Sequence, residues 1–253
     1  MLGSAPTFVG FSAHSDFGIV PFAPGFSLVE QMPDTFDASI SSQYQLTLKK
    51  LTKKDPMTKK KALQEFIDLI NGSEVEELKM ILPLWPKFYH NLASDPEHNV
   101  RELSQAVQQL LVSKCKKAVA PYLKQLVPVW LASQFDNYAP AASIARASFS
   151  ETFASNANRT TEVCLHCQNE ILEYVTRNLT FHSASTLSTG KSLTPEEAEQ
   201  KYQRVVMCSL KELSFFIEHT VDAEQTTILE GLQKLLSHQK FWSFAKNKVH
   251  SIK

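Results

Sequence analysis

The chain has 253 residues, of which 43% are apolar and 21% are charged, and its basic and acidic residues balance to a formal net charge of zero. This composition excludes an intrinsically disordered protein and favours a soluble globular one with a sizeable core. It contains no run of about 18 uncharged apolar residues and no signal-peptide pattern at the N-terminus, so we expect a protein of the cytosol. Its four cysteines predict reduced thiols rather than a disulfide framework.

Residues 1–43 are predicted to form an extended arm. The first forty residues contain four acidic side chains and no Lys or Arg, and their phenylalanines are interspersed with Gly and Pro without helical or strand periodicity. Because so many aromatic side chains are costly to leave in water, we predict that the arm packs on the rest of the protein, with ordering on a partner as the alternative. The residues predicted to make these arm or partner contacts are Phe8, Gly10, Phe11, Asp16, Phe17 and Gly18.

From residue 44 onward, the spacing of apolar residues predicts helices that are separated by short turns. Asp-Pro pairs at 55–56 and at 95–96 each predict the start of a helix, and a Thr-Pro-Glu-Glu version of this signal begins at Thr194. A capping box at Ser73, in "SEVE", predicts another start. Every segment that is long enough to judge favours helix over strand, which predicts an all-α protein.

An internal repeat indicates the architecture. "LPLWP" at 82–86 and "VPVWL" at 127–131 match at an offset of 45 residues, which aligns Trp85 with Trp130. At an offset of 41 residues, a second set of apolar positions aligns: Leu51, Phe66, Leu69 and Ile70 with Leu92, Val107, Leu110 and Leu111. Such a period is typical of HEAT or armadillo repeats, in which stacked helix pairs bury a shared core. Residues 44–253 are therefore predicted to form a HEAT/armadillo-like α-solenoid of antiparallel helix pairs that ends within a further repeat.

The sequence contains no nucleophile elbow, phosphate-binding loop or dinucleotide-binding glycine pattern. The motif "CLHC" offers Cys164, His166 and Cys167 as half of a zinc site, but no second half accompanies it. Cys167 is in helical step with Val163 and Ile171, so buried core cysteines are the predicted role, and a metal-dependent enzyme using these three residues is the alternative. We therefore predict neither catalytic residues nor a metal or other cofactor in this chain.

The stretch "KKLTKKDPMTKKK" at 49–61 contains seven lysines and one aspartate. Its lysines four residues apart within 49–54 are like-charged pairs on one helix face, which mildly destabilise a helix. One interpretation is a solvated helix face. The other is a patch that contacts phosphates, supported by a second basic group at 114–117 near the end of a later helix. The spacing alone leaves both interpretations open.

Several long stretches resemble those of a known family. They include "LTKKDPMTKKKALQEF", "LPLWPKFYHNLASDPEHNVRE" and "APYLKQLVPVWLASQFDNYAPAASIARASF", and further along "AEQKYQRVVMCSLKEL" and "HQKFWSFAKNKV". Together they resemble the N-terminal domain of the listerin family, the large RING-type E3 ubiquitin ligases of ribosome-associated quality control. The arm segment "FVGFSAHSDFGIVPF" is similar to the Gly- and Phe-rich opening of that family's folded region, so the resemblance covers essentially the whole chain.

The resemblance implies that this chain docks and does not catalyse. In listerin the N-terminal domain helps to engage the large ribosomal subunit that carries a stalled nascent chain, together with the partner called nuclear export mediator factor. Ligase activity and bound zinc would belong to a C-terminal RING, because a RING needs eight Cys or His ligands in paired spacing. The expected partners are thus ribosomal RNA, ribosomal proteins and that factor, and the chain is expected to be a monomer without a membrane or small-molecule substrate.

The family interpretation assigns a role to the lysines. Flexible point charges suit contact with ribosomal RNA phosphates that does not depend on base sequence. The residues predicted to lie on or beside this ribosome-facing edge are Lys49, Lys50, Lys53, Lys54, Lys59, Lys60 and Lys61. The rival function is a HEAT-repeat scaffold that binds only proteins, whose binding would survive high salt and lysine reversal.

Overall fold

The computed structural model describes residues 40–153, 157–188, 193–221 and 226–247, and this part of the chain consists of helices and turns without a strand. The predicted all-α fold is confirmed, while its assignment to HEAT or armadillo repeats stays a prediction. Residues 1–39 of the arm that is predicted for 1–43 lie outside the described residues. The first helices are α1 (Ser42–Leu51), α2 (Pro56–Gly72), α3 (Val75–Ile81), α4 (Trp85–Leu92), α5 (His98–Cys115), a 3-10 helix (Lys116–Tyr122), α6 (Leu123–Ser133) and α7 (Ala139–Phe153).

The later elements are α8 (Ala157–His166), α9 (Gln168–Thr176), a π-helical turn (Arg177–Phe181), α10 (Ala184–Ser188), α11 (Pro195–Thr220), α12 (Thr226–Leu236) and α13 (Gln239–Asn247). The long helix α11 has 26 residues and contacts α6, α8, α9 and α10, while α12 packs against α9 and α13 packs against α12. In the earlier half, α2 packs between α1 and α5, and α5 packs between α2 and α7. None of the described helices combines the length and the apolar character needed to span a bilayer.

Two of the predicted helix starts are confirmed. The Asp55 carboxylate accepts a hydrogen bond of 2.7 Å from the Thr58 N–H, with Pro56 as the first residue of α2. At the start of α11, Thr194 and Glu197 form a reciprocal capping box. Both signals are local in sequence, and both satisfy N–H groups that a helix leaves without partners at its N-terminus.

At the other two signals a helix does begin nearby, at Val75 and at His98, but the predicted capping residues are wrong. Ser73 does not open α3 but ends α2, and its hydroxyl accepts a hydrogen bond of 3.0 Å from the Tyr44 hydroxyl. Asp95 does not cap α5, whose N-cap is Glu97. Asp95 is buried and forms an ion pair with Lys59 instead. Ser73 and Asp95 each contact a residue far along the chain, although Asp95 Oδ1 also accepts a local hydrogen bond from the Glu97 N–H (3.1 Å).

Residues that align in the predicted repeat are buried in both copies. Trp85 and Trp130 are both fully buried, and each indole N–H donates to a polar side chain of a later helix: Trp85 to Gln108 (2.7 Å) and Trp130 to Ser148 (2.9 Å). Three of the four pairs that align at the offset of 41 residues are buried in both copies: Leu51 with Leu92, Phe66 with Val107, and Ile70 with Leu111. Successive units therefore bury equivalent positions in one continuous core.

Two buried ion pairs recur at nearly the same spacing, and we call them the ion-pair ladder. Lys59 on α2 pairs with Asp95, 36 residues later, in the turn between α4 and α5. Arg101 on α5 pairs with Asp136, 35 residues later, in the turn between α6 and α7, with 2.7 Å between Nε and Oδ2. All four side chains are at most 7% exposed. Each pair thus ties a helix to the turn of the following unit.

The two pairs of the ladder are joined to each other and to the long helix. Arg101 also donates from Nη1 to the carbonyl oxygens of Asp95 (3.0 Å) and Pro96 (2.9 Å). From α11, Arg204 donates to the carbonyl oxygens of Ser94 (3.2 Å) and Asp95 (3.0 Å). Burial lowers the pKa of Arg204 to about 10. The turn between α4 and α5 is therefore held by charged side chains from three different helices.

Glu212 is a buried carboxyl group on α11. Its side chain is fully buried, and within the described part of the chain neither carboxyl oxygen has a hydrogen-bond partner. Burial raises the pKa of Glu212 well above its usual value of 4.5. The group is therefore protonated in the folded protein at pH values where the unfolded chain has already lost the proton.

The ladder predicts a large cost for removing one charge. Lys59→Met leaves the Asp95 carboxylate buried without its cation, and we expect the free energy of unfolding to fall by about 3–5 kcal/mol. Chemical denaturation measures this change. Adding Asp95→Asn, which removes the remaining charge, should restore part of the loss. The control is Lys50→Met, which breaks the partly exposed pair with Glu65 and should cost at most about 1 kcal/mol. Equal losses of stability in Lys59→Met and Lys50→Met would contradict a stabilising role for the ion-pair ladder.

Glu212 predicts a pH dependence of stability. Because its pKa is raised in the folded state, the folded chain holds more protons than the unfolded chain above pH 4.5, so stability falls as pH rises, by up to about 1.4 kcal/mol per pH unit. Denaturation across a pH series should show this slope reduced in Glu212→Gln. The exposed Glu230→Gln variant is the control and should keep the slope. Identical slopes in Glu212→Gln and the unaltered chain would contradict the assignment.

Candidate functional site

The lysine-rich stretch lies at the end of α1, in the turn that follows, and in the first turns of α2. Lys53 and Lys54 occupy that turn, where the Lys53 N–H donates to the carbonyl oxygen of Lys50 (3.1 Å) and Asp55 then caps α2. Both turn lysines are exposed, and neither takes part in an ion pair within the described ranges. The sequence thus places two ammonium groups at a fixed, solvent-facing corner between two helices.

The structure divides the seven lysines by role. Lys59 is 6% exposed and is held by Asp95, so its predicted place on the ribosome-facing edge is wrong, because a cation in a buried pair is not available to a ligand. Lys50 is partly exposed and pairs with Glu65 at 2.7 Å. Lys49 is exposed, near the end of α1. The other four are exposed and form no ion pair in the described part of the chain, and we call them the basic edge: Lys53, Lys54, Lys60 and Lys61.

A groove of about 460 Å³ adjoins the basic edge, and we call it the α2–α5 groove. The sequence predictions missed it as a site, although its residues follow helical spacing on both elements, at 57, 60, 61 and 64 on α2 and at 99, 102 and 103 on α5. Which helix faces would meet could not be known before the two helices were placed. The groove is lined by Met57, Lys60, Lys61, Gln64, Asn99, Glu102 and Leu103.

The second basic group is also divided. Lys114 on α5 donates to the carbonyl oxygens of Ile70 (2.6 Å), Asn71 (2.9 Å) and Ser73 (3.2 Å). It therefore caps the C-terminal end of α2, where a positive charge stabilises the unpaired carbonyl groups and the helix dipole. The remaining lysines of this group, at 116 and 117, are exposed.

The cysteine motif is part of the core, as predicted. Cys164 and Cys167 are fully buried, and Cys167 continues the buried stripe through Val163 and Ile171. Burial raises the pKa of each of these two thiols to about 12. His166 points to solvent. Across the described residues, no group of three or more His, Cys, Asp and Glu side chains could hold a metal ion. The structure thus brings the two cysteines together as packing residues.

The predicted arm contacts, from Phe8 to Gly18, lie outside the described residues and stay predictions. What the structure defines is an all-α protein, braced by buried charges, that presents exposed lysines at one inter-helix corner. A surface of this kind is suited to binding.

Comparison with known proteins identifies the family. A family model described as "E3 ubiquitin-protein ligase listerin, N-terminal domain" matches residues 38–253. The E3 ubiquitin-protein ligase listerin of Drosophila melanogaster is 69% identical over 100% of this chain and 15% of its own length. The listerin of Gallus gallus is 34% identical over 99% of this chain and 14% of its own length. The chain therefore belongs to the listerin N-terminal domain family, and it spans about 15% of the length of these relatives.

The buried thiols predict slow chemical modification. All four cysteines are at most 8% exposed, so an aromatic disulfide reagent should react with essentially none of them in the folded protein and with all four after denaturation. Absorbance of the released thiolate measures this directly. Elemental analysis of the same sample should find no stoichiometric zinc. Stoichiometric zinc, together with rapid reaction of Cys164 and Cys167 with the reagent in the folded protein, would contradict the assignment of these cysteines to the core.

Proposed function

We propose that this chain is the ribosome-docking domain of an E3 ubiquitin ligase that modifies nascent chains on stalled large ribosomal subunits. The observation that carries the proposal is the pair of exposed turn lysines, Lys53 and Lys54, held at a rigid corner without carboxylate partners among the described residues. Membership of the listerin family supports the ligase context. This chain would bind and position the ligase.

The physical argument concerns phosphate contact. A lysine that is already neutralised by a carboxylate gains little from a phosphate, whereas an exposed, unpaired ammonium releases counterions when it meets one. Hydrogen bonds at Thr52 and Asp55 close the helix ends on either side of the turn, so its backbone is already ordered before binding and only the lysine side chains need to be ordered. Recognition would follow the shape and phosphate positions of folded RNA rather than its bases.

A C-terminal RING and a partner protein would supply the rest of the proposed function. Ubiquitin transfer and RING-bound zinc would be supplied by a C-terminal RING, and nuclear export mediator factor would share the docked subunit with this domain. The ligase proposal is supported by relatives that are named as E3 ubiquitin-protein ligases, and the partner factor is what the resemblance to the listerin family implies. The cytosol is the proposed compartment, in keeping with the proposed docking on large ribosomal subunits.

Co-sedimentation with purified large ribosomal subunits tests the docking proposal. We expect Lys53→Glu/Lys54→Glu to weaken binding by roughly tenfold or more and to reduce the slope of log K against log[salt] by about 2, about 1 for each lost phosphate contact. The matched control is Lys211→Glu/Lys234→Glu, which makes the same charge change at exposed sites on α11 and α12 and should bind like the unaltered chain.

Three outcomes separate the candidate functions. Loss of binding in the turn variant alone supports docking through the basic edge. Equal weakening in both variants would point to net charge rather than to a site, and would contradict the proposal. Binding that is unchanged when Lys53 and Lys54 become Glu, and that resists high salt, would favour the rival protein-binding scaffold. Circular dichroism of each variant establishes that it is folded.

A further inference from the structure

The α2–α5 groove carries opposite charges on its two sides. Lys60 and Lys61 line it from α2, and Glu102 lines it from α5. Within the described part of the chain, none of these three side chains takes part in an ion pair. A ligand that lies between them can therefore meet positive charge on one side and a hydrogen-bond acceptor on the other.

The remaining side chains of the groove offer apolar surface and amide groups. Met57 is 58% exposed, and Leu103 adds apolar surface from α5. The amides belong to Gln64 and Asn99. Asn99 donates from Nδ2 to the Glu97 carboxylate (2.9 Å), and this hydrogen bond orients its side chain before any ligand binds. At about 460 Å³, the groove has the size of a small-ligand site, about 300–1,000 Å³.

Together these groups match the parts of one nucleotide. Lysine ammonium groups contact phosphates, amide side chains pair with the edge of a base, and a carboxylate accepts a hydrogen bond from an amino group on a base. The thioether of Met57 offers a surface that packs favourably on an aromatic ring. Such a base must be unstacked, because a paired and stacked base presents neither its face nor its pairing edge.

Continuity with the neighbouring turn favours RNA over a peptide. Helix α2 begins directly after the turn that carries Lys53 and Lys54, and Lys60 and Lys61 follow within its first two turns. The exposed ammonium groups of the basic edge therefore begin at the turn and continue into the groove. An RNA strand carries a phosphate at every nucleotide and can follow these cations with one base turned inward. A peptide would need a carboxylate at each of these positions.

We infer that the α2–α5 groove binds one unstacked nucleobase of the RNA that the basic edge contacts, and that it prefers a base with an exocyclic amino group. The phosphates lie on the α2 side, at Lys60 and Lys61, and the amino group donates to Glu102 on the α5 side. This inference rests on the proposed docking function and specifies its ligand as a bulge or loop. The rest of the contact follows phosphate positions, and the groove adds the recognition of one base.

Fluorescence anisotropy with short RNA hairpins tests the inference on the 253-residue chain. Three labelled hairpins share one stem and carry a single bulged adenosine, a bulged uridine or a bulged abasic nucleotide. We expect the adenosine hairpin to bind about tenfold or more tighter than the abasic hairpin, and also tighter than the uridine hairpin, whose base lacks an exocyclic amino group. The abasic hairpin keeps the flexible backbone of the bulge and loses only the base.

Two double variants separate the groove from the turn. Met57→Ala/Gln64→Ala removes base contacts at two exposed positions. It should reduce the preference for the adenosine hairpin over the abasic hairpin to about twofold or less, and should leave the affinity for the abasic hairpin unchanged. Lys53→Glu/Lys54→Glu should weaken the binding of all three hairpins alike and preserve the preference, because it removes phosphate contacts only.

A matched control and a single substitution complete the set. Met80→Ala/Gln233→Ala makes the same changes as the groove variant at exposed positions on α3 and α12, and should bind like the unaltered chain. Glu102→Gln replaces a pure acceptor by an amide that also donates, and should remove the preference for adenosine over uridine. This substitution keeps the size of the side chain and tests the groove independently of Met57→Ala/Gln64→Ala.

Equal binding of the three hairpins would overturn the inference and would leave the groove open to an acidic segment of a partner protein. A preference for adenosine that survives in both groove variants would also overturn it, as would a failure to bind any hairpin. Co-sedimentation with whole subunits judges the docking proposal separately. A chain that sediments with subunits but does not distinguish the hairpins retains the docking function and loses the base site, and the opposite pair of results retains the base site alone.

Discussion

The ion-pair ladder is the constraint on which the described structure depends. A buried lysine or arginine is costly unless a carboxylate meets it, so Lys59 and Arg101 fix where the turns carrying Asp95 and Asp136 must lie. Hydrophobic burial alone would let one helix pair slide over the next, because apolar contact is not directional. Charged hydrogen bonds are directional, and they hold successive pairs in one register. Trp85 and Trp130 are then both fully buried at equivalent positions of the repeat.

The ladder also explains how one lysine-rich stretch serves two purposes. Within a few residues of α2, Lys59 points into the core while its neighbours at 60 and 61 point outward, because helical geometry turns each residue by about 100° from the last. Lys114 is similarly recruited to cap α2 from the outside of another helix. Lysines that stabilise the fold thus lie close in sequence to lysines that remain accessible. A basic surface on such a frame keeps its geometry when it meets a ligand, which favours binding.

The fold was largely predictable from sequence, and the site was predictable only in part. Helix starts at Asp55 and Thr194 depend on side chains within three residues. The repeat could be recognised because Trp85 and Trp130 recur with their apolar neighbours. The role of Lys59 depends on a partner 36 residues away, so no local pattern could separate it from Lys60. A usable signal did exist, since the spacings from Lys59 to Asp95 and from Arg101 to Asp136 differ by one residue. The α2–α5 groove arises only where two helix faces meet.

We propose that Lys53 and Lys54 contact the large ribosomal subunit, while the buried Lys59 stabilises the fold. Lysine acetylation followed by mass spectrometry, with and without bound large subunits, tests it in one experiment. We predict that Lys53 and Lys54 react in the free chain and are protected in the complex, that Lys59 is unreactive in both, and that Lys211 reacts in both. Lys53 and Lys54 reacting equally in the free and bound states, or Lys59 reacting readily in the folded chain, would contradict it.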